Sequence, residues 1–460
     1  MRDQQAGSTL AAERPPIERA TADDMMQLAS DNGPVPWHVG AILVLDPGPE
    51  ISPAALKAVV ADRITAVPRL RQVLTRPPIG CGRPVWVDDR RFDVGAHVRT
   101  MACAPPGDET ALLKTAVAIA AEPLDFSRPL WSASFVTGVT RSRIALVVVF
   151  HHVLADGIGG LAVLANLVDG APTPPPATFP KPAPSPGQLA LDNLRARWAG
   201  VSHPAAALRT LRHAAAELHP ASASRLPRTS LNQPTGAQRR LTVARADLAR
   251  IHEVARAHGA TVNDVVLTAV TGAVHGLLLH RGETAESLVV SVAVSGRATT
   301  TAAQLGNRVG VIPVNLPLGG DHWERLARIA AITRAQKSAN RAASAAVIGP
   351  AFRALAALGL FRWFINRQRF VNTFLTNLRG PAQQLSFAGG AVADILPLTG
   401  ISGNVSVSFA ILSYAGTLVV TIVADPARNP DLDILTDLLR QELITLAAVD
   451  GARQPPTARA

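Results

Sequence analysis

The 460-residue chain has only two cysteines, Cys81 and Cys103, and one tyrosine, Tyr414. Two isolated cysteines make no disulfide framework and offer no zinc-binding spacing, so a reduced cytosol fits best. Lysine is also scarce: Lys57, Lys114, Lys181 and Lys337 are the four in the chain, and the net charge of +11 is nearly all arginine. The arginines are scattered, and aromatic residues are only 4% of the chain. A nucleic-acid binder needs a clustered basic run and stacking aromatics, so no nucleic acid is expected as a partner. The arginine bias reads as codon-usage background, although a positive surface still attracts anionic substrates or lipids. No stretch of about 18 residues is apolar throughout, so no transmembrane helix is expected. Residues 1–30 lack the basic-then-apolar order of a signal peptide, and Asp23 and Asp24 argue against one. These absences describe a cytoplasmic protein, soluble or peripherally membrane-associated.

Apolar residues are abundant. They make up 48% of the chain against 17% charged, enough to bury a large core and to exclude a mainly disordered protein. The length implies two domains or three. The clearest boundary is the proline-rich segment 171–187, which neither continues a helix nor joins a central strand. It divides the chain into 1–170, a linker with crossover helix at 171–238, and 239–460.

Periodicity predicts strands at Val39–Leu45, Leu130–Gly138, Arg143–Phe150, Leu288–Val294, Val309–Leu316, Asn404–Leu412 and Thr417–Ala424. It predicts helices at Pro53–Asp62, Thr110–Ala121, Ile158–Leu167, Arg245–His258, Val262–Leu279 and Asp431–Leu446. Alternating elements in both halves indicate α/β layers, and the turn Ser413–Gly416 requires antiparallel pairing, so the sheets are mixed.

The sharpest chemical signal is His151-His152-Val153-Leu154-Ala155-Asp156-Gly157, directly after the continuously apolar run Ile144–Phe150. A strand that apolar is buried on both faces, so the motif leaves the core at a strand end, where ligands commonly bind. A histidine held there at partial burial suits general-base chemistry. Asp156 has two possible jobs: bonding an imidazole, or bracing the tight loop. Gly157 permits a sharp turn and close approach. His151 and His152 point to opposite sides of an extended chain and no third ligand follows, so no metal is expected.

These residues resemble the active-site motif of the bacterial wax ester synthase/acyl-CoA:diacylglycerol acyltransferase family, within the chloramphenicol acetyltransferase-like superfamily. Further blocks extend the resemblance along the chain: Pro36-Trp37-His38-Val39-Gly40, Pro129-Leu130-Trp131, Asn263-Asp264, Gly306-Asn307 and Thr376-Asn377-Leu378-Arg379-Gly380-Pro381. The resemblance implies two acetyltransferase-like domains, each a mixed sheet with helices, and a tunnel between them. It implies transfer of a long-chain acyl group from acyl-CoA, as substrate, to diacylglycerol or a fatty alcohol, with no cofactor. His152 carries over as general base, with His151 beside it, and Asp156 as a structural brace. Pro129, Leu130 and Trp131 are expected to line a substrate pocket. Asn263 is the candidate oxyanion donor, with Asp264 adjacent, although at a helix start Asn263 also reads as a plain N-cap. Two rival readings remain open: a related acyltransferase using a carrier-protein thioester or another acceptor, and a non-catalytic lipid-binding paralogue. Residues 349–370 combine apolar residues with Arg353, Arg362, Arg367 and Arg369, a pattern that suits a membrane or lipid-droplet surface.

Overall fold

A computed structural model describes residues 17–31, 33–46, 52–171, 178–201, 229–295, 307, 309–340, 355 and 359–448. In chain order the first part contains α1 (Ala22–Ser30), β1 (His38–Asp46), α2 (Pro53–Ile64), β2 (Gln72–Thr75), β3 (Val85–Asp88), β4 (Val98–Ala102), α3 (Glu109–Ala121), β5 (Trp131–Val139), β6 (Arg143–His151), α4 (Gly157–Leu167) and α5 (Pro186–Val201). The second part contains β7 (Arg240–Asp247), α6 (Leu248–Ala257), α7 (Val262–His280), β8 (Ser287–Ser295), β9 (Val309–Pro317), α8 (His322–Asn340), α9 (Phe361–Ile365), β10 (Thr373–Arg379), β11 (Ser386–Phe387), β12 (Gly390–Leu398), β13 (Val407–Tyr414), β14 (Thr417–Ala424) and α10 (Leu432–Ala447).

Twelve strands form two six-stranded mixed sheets, in the orders β11-β12-β1-β6-β5-β4 and β7-β14-β13-β10-β8-β9, and β2 and β3 pair as a separate antiparallel ribbon. The α/β class with two sheet-and-helix halves is as the sequence implied. The topology crosses between the halves: β11 and β12, late in the chain, return to the first sheet, where β12 pairs antiparallel with β1.

The central strand β6 shows why an unbroken apolar run forms here. Alternate side chains of a strand face opposite sides of its sheet. Ile144, Leu146, Val148 and Phe150 enter the core of the first half, against Leu56 and Val60 of α2 and Val163 and Leu167 of α4. Ala145, Val147 and Val149 face the other way, into a core shared between the halves with Leu112 and Ile119 of α3 and with Leu241, Val243, Val419 and Val423 of the second sheet. At roughly 25 cal/mol per Å² of apolar surface, such burial is the main force joining the halves. Gly40 of β1 lies opposite this strand, and a Cβ there would meet the Val148 carbonyl oxygen at 2.0 Å, so only glycine admits the pairing.

In the second half α7 is the core helix. Among its residues Val265, Val266, Ala269, Val270, Ala273, Val274, Leu277 and Leu278 are buried with Leu435, Leu439 and Leu443 of α10. Its length and apolarity would let it cross a membrane, but it is 72% buried inside the protein, and an enclosed helix is apolar all round.

Two sequence expectations move. The helix expected at Arg245–His258 begins only at Leu248: Arg240–Asp247 is β7, paired with β14, and Asp247 is the N-cap, accepting from Ala249 and Arg250 N–H. Arg245 is held as a strand residue by ion pairs to Asp394 and Glu109. The strand expected from Asn404 begins at Val407, because the Asn404 side chain is engaged with Gln368 in the preceding loop. The expected hairpin is present: Tyr414 pairs with Thr417, and Ala415 and Gly416 have φ of 44° and 84°, as a two-residue type I′ turn requires. Of the linker, 172–177 and 202–228 lie outside the described residues.

Candidate active site

The motif sits where β6 leaves the first sheet. Asp156 is the N-cap of α4, its Oδ1 accepting from Gly159 N–H at 2.8 Å. This contact is a brace of the tight loop, one of the two possible jobs of Asp156. Gly157, the first residue of the helix, faces the second half: a Cβ there would lie 3.1 Å from both terminal methyls of Leu378 on β10. The motif glycine thus lets the helix start approach the other sheet.

The two histidines have different surroundings. His151, only 1% exposed, closes β6 opposite His38 of β1. Its Nδ1 accepts from Val153 N–H at 3.0 Å, so Nε2 carries the hydrogen and donates to Asp31 Oδ2 at 3.0 Å. Burial pushes the Asp31 carboxyl up, but the His151 imidazole and the Trp37 N–H outweigh that and hold it below its usual value. His38 donates from Nδ1 to the Ala120 carbonyl at 2.8 Å. Burial pushes its pKa down to about 4, so it is neutral near pH 7.

His152 is half-buried and stacks on Trp37, with centroids 5.6 Å apart and planes 7° from parallel. Its backbone N–H donates to the Trp37 carbonyl at 3.0 Å. The ring Nδ1 meets Asn307 Oδ1 at 3.2 Å. Among the described residues no hydrogen-bond partner meets Nε2. Desolvation lowers the His152 pKa, with its own backbone carbonyl and Asp156 pulling the other way. The arrangement is a neutral imidazole with one nitrogen engaged and the other open.

The remaining expected residues separate into two groups. Pro129, Leu130 and Trp131 are buried in the first core, not exposed on a pocket wall: the Trp131 indole N–H bonds the Leu70 carbonyl at 2.8 Å, and its ring stacks on His97 at 4.6 Å. They reach the motif from behind, through the Leu130 carbonyl, which accepts from His151 N–H at 3.0 Å. Asn263 is not the N-cap of α7; Thr261 is, in a reciprocal capping box with Asp264. Both Asp264 oxygens have donors inside the protein: Oδ2 accepts from Thr261, and Oδ1 accepts from the Thr333 hydroxyl at 2.7 Å. This leaves Asp264 as a structural anchor. The Asn263 Oδ1 accepts from Asn377 Nδ2 at 3.1 Å, which ties the start of α7 to β10.

Sequence reasoning missed Asp31, Asp24 and the role of Asn307. Asp31 lies 120 positions from its histidine and Asn307 lies 155 positions from its own, so no local spacing reveals either pair.

A small cavity of about 40 Å³ lies between the halves beside His38, with Ala120, Arg239, Leu398, Gly400 and Val423 among its lining. It is far below the roughly 300–1,000 Å³ of ligand pockets. A larger hollow of about 520 Å³, lined by Arg19, Gly82, Asn193 and Arg197, contains no residue of the motif. Among the described residues no three His, Cys, Asp or Glu side chains cluster as a metal site would.

The chain belongs to the wax ester synthase/diacylglycerol acyltransferase family: the model of the family's catalytic domain matches residues 21–266, and that of its C-terminal domain matches residues 305–447. A probable diacylglycerol O-acyltransferase of Mycobacterium tuberculosis is 30% identical over 436 residues, covering 90% of this chain and 92% of that protein. The wax ester synthase/diacylglycerol acyltransferase of Marinobacter aquaeolei superposes with a TM-score of 0.69 at 23% identity, covering 94% of this chain and 100% of that one. The starter condensation domain of rhizomide synthetase shares the fold at a TM-score of 0.61 and 17% identity, over 94% of each chain.

Proposed function

We propose that this acyltransferase moves a long-chain acyl group from acyl-CoA to the hydroxyl of diacylglycerol or a fatty alcohol, with His152 as general base. The observation that carries the reading is the ring itself: Nδ1 is engaged by Asn307, and Nε2 has no partner among the described residues. Nε2 takes the hydroxyl proton as the alcohol oxygen attacks the thioester carbon. The tetrahedral intermediate then collapses, the C–S bond breaks, and the imidazolium returns the proton to the departing thiolate. No acyl-enzyme is needed, because the base activates the acceptor directly. The NH₂ of Asn263, whose Oδ1 is held by Asn377, is our candidate donor to the oxyanion. Asp156 fixes the loop and moves no proton.

The test is purified protein with radiolabelled palmitoyl-CoA, given hexadecanol and dioleoylglycerol side by side. Labelled ester is expected from at least one acceptor, and His152→Ala is expected to form it about 10²–10⁴-fold more slowly. Ester formation by that variant at the wild-type rate would sink the mechanism. His151→Ala should reduce the rate less. The condensation-domain likeness motivates a parallel arm with an acyl-carrier protein as donor.

We also propose peripheral docking on a lipid surface through the segment that ends at Phe370. Residues 349–354 and 356–358 lie outside the described residues. In the remainder Leu360, Trp363 and Phe370 are 48%, 60% and 47% exposed, while Phe361 is buried. Arg362, Arg367 and Arg369 are exposed beside them, suited to anionic headgroups. Trp363→Asp should weaken flotation with anionic liposomes, and unchanged flotation would defeat this idea.

A further inference from the structure

Asn307 belongs to the second half of the chain and is 2% exposed. Its Nδ2 donates to Asp24 Oδ1 at 2.9 Å, to the His152 carbonyl at 2.9 Å and to the Val153 carbonyl at 3.2 Å. Its backbone N–H also points to Asp24 Oδ1, at 3.3 Å. All these acceptors are carbonyl or carboxylate oxygens, so the end of the amide facing them is the NH₂ end. The amide oxygen is therefore the end that meets His152 Nδ1. An amide oxygen cannot donate, so the hydrogen of that contact belongs to Nδ1. Asp24 is itself fixed: its Oδ2 accepts from Thr21 N–H at 2.8 Å in the capping box of α1.

We infer that Asn307, held by Asp24, is a positioning residue that sets the tautomer of His152, with hydrogen on Nδ1 and a free lone pair on Nε2. The inference rests on His152 being the base. A base oriented by a third group is a general device, and the wrong tautomer removes most of its effect. Here the orienting group is neutral. A carboxylate in its place would also accept from Nδ1, but it would stabilise the imidazolium and raise the pKa. The amide orients the ring without that stabilisation, so the imidazolium stays acidic enough to return its proton to a thiolate. The other groups facing the ring fit this account. Asp156 acts from the helix that follows, His151 from the preceding position, Trp37 by stacking, and Asp24 only through the amide.

The experiment uses the full chain with ¹⁵N-labelled histidine, the His152→Ala spectrum serving as assignment, together with palmitoyl-CoA/hexadecanol kinetics. Wild-type His152 should give the signals of an Nδ1–H tautomer. Asn307→Ala should give a mixed or Nε2–H tautomer and lower kcat by about 100-fold or more, with KM for palmitoyl-CoA within about 2-fold. The exchange Asp24→Asn with Asn307→Asp keeps one amide against one carboxylate. It gives up the two donations to the His152 and Val153 carbonyls, so kcat stays below wild type, but the acid limb of kcat/KM should move to higher pH, which a purely structural role would not do. An Nε2–H tautomer in the wild type overturns the inference, as does an exchanged pair with an unmoved acid limb. These two readouts stand even if Asn307→Ala fails to fold. If His152→Ala retains the wild-type rate, the base reading fails instead; if it is slowed while Asn307→Ala keeps full kcat, only this inference falls.

Discussion

The helix starts of the two halves, at α4 and α7, use the same device and differ in where their polar groups find partners. At α7, Thr261 and Asp264 cap each other, and the spare Asp264 oxygen takes one hydroxyl from Thr333 of the neighbouring helix. Apart from that hydroxyl, the cap closes within four residues. At α4, Asp156 closes on Gly159 in the same way, but the histidines just ahead of it reach Asp31 and Asn307 at far positions in the chain. Buried polar groups are costly when unpaired, and assembling partners from distant segments demands that several elements dock correctly first. A helix start needs only the local closure to be stable. The long-range closure at α4 does something else: it fixes the orientation of an imidazole.

The comparison can be broken in three places, in falling order of effect. His152→Ala should reduce turnover by about 10²–10⁴-fold with only a small fall in melting temperature, from the lost Trp37 stacking and Asn307 contact, since the open Nε2 contributes to chemistry and not to packing. A large loss of stability instead would make the α4 entrance architectural, like its counterpart. The second place is the acid stability of the histidine cluster. Unfolded histidine binds a proton below about pH 6.5, but folded His38 does so only below about 4. Between those values the unfolded chain holds more protons, so stability falls as pH falls, by up to about 3 kcal/mol. His97 and His152 shift in the same direction and add to the slope. Asp31 acts in a different window, because its lowered pKa keeps its contribution until pH falls below the ordinary carboxylate range. Denaturant titrations at stepped pH should show a shallower loss in His38→Asn, whose amide can still donate to the Ala120 carbonyl; an identical slope would remove His38 from the account. The smallest effect belongs to the second entrance. Thr261→Ala should cost about 1 kcal/mol of stability and leave the acid limb of the rate profile in place. A moved limb would show that the two helix starts are coupled.

These contrasts also mark what the sequence could show. Continuous apolarity placed β6, and full-length apolar character placed α7, because both are enclosed and enclosure imposes one pattern on many consecutive residues. The hairpin at Ala415-Gly416 was legible because two successive left-handed residues tolerate few sequences. The motif located His152, and it named Asp156 without deciding between its two jobs. β7 was hidden behind the helix that follows it, since Arg245 and Asp247 look like helix residues until their pairing with β14 and the N-cap are known. The burial of Leu130 and Trp131 was invisible for a related reason: an apolar block beside an active-site strand looks the same from the front or the back of the sheet. Asn307 stood in a recognised block, but its meaning depends on an aspartate from α1 and a histidine just past the end of β6, and one-dimensional spacing carries no sign of either.

The return of β12 to β1 has a consequence for how the chain is made. As the polypeptide emerges from the ribosome, β1 can pair with β6 once residue 151 is out, yet its other edge waits for residues 390–398. For most of synthesis the first sheet therefore presents an unpaired, apolar strand edge, the kind that templates aggregation. A truncated product ending in the linker would keep that edge permanently bare. The enzyme's halves, separable by eye on either side of a proline-rich segment, are a single unit to the folding machinery, and the last quarter of the chain protects the first.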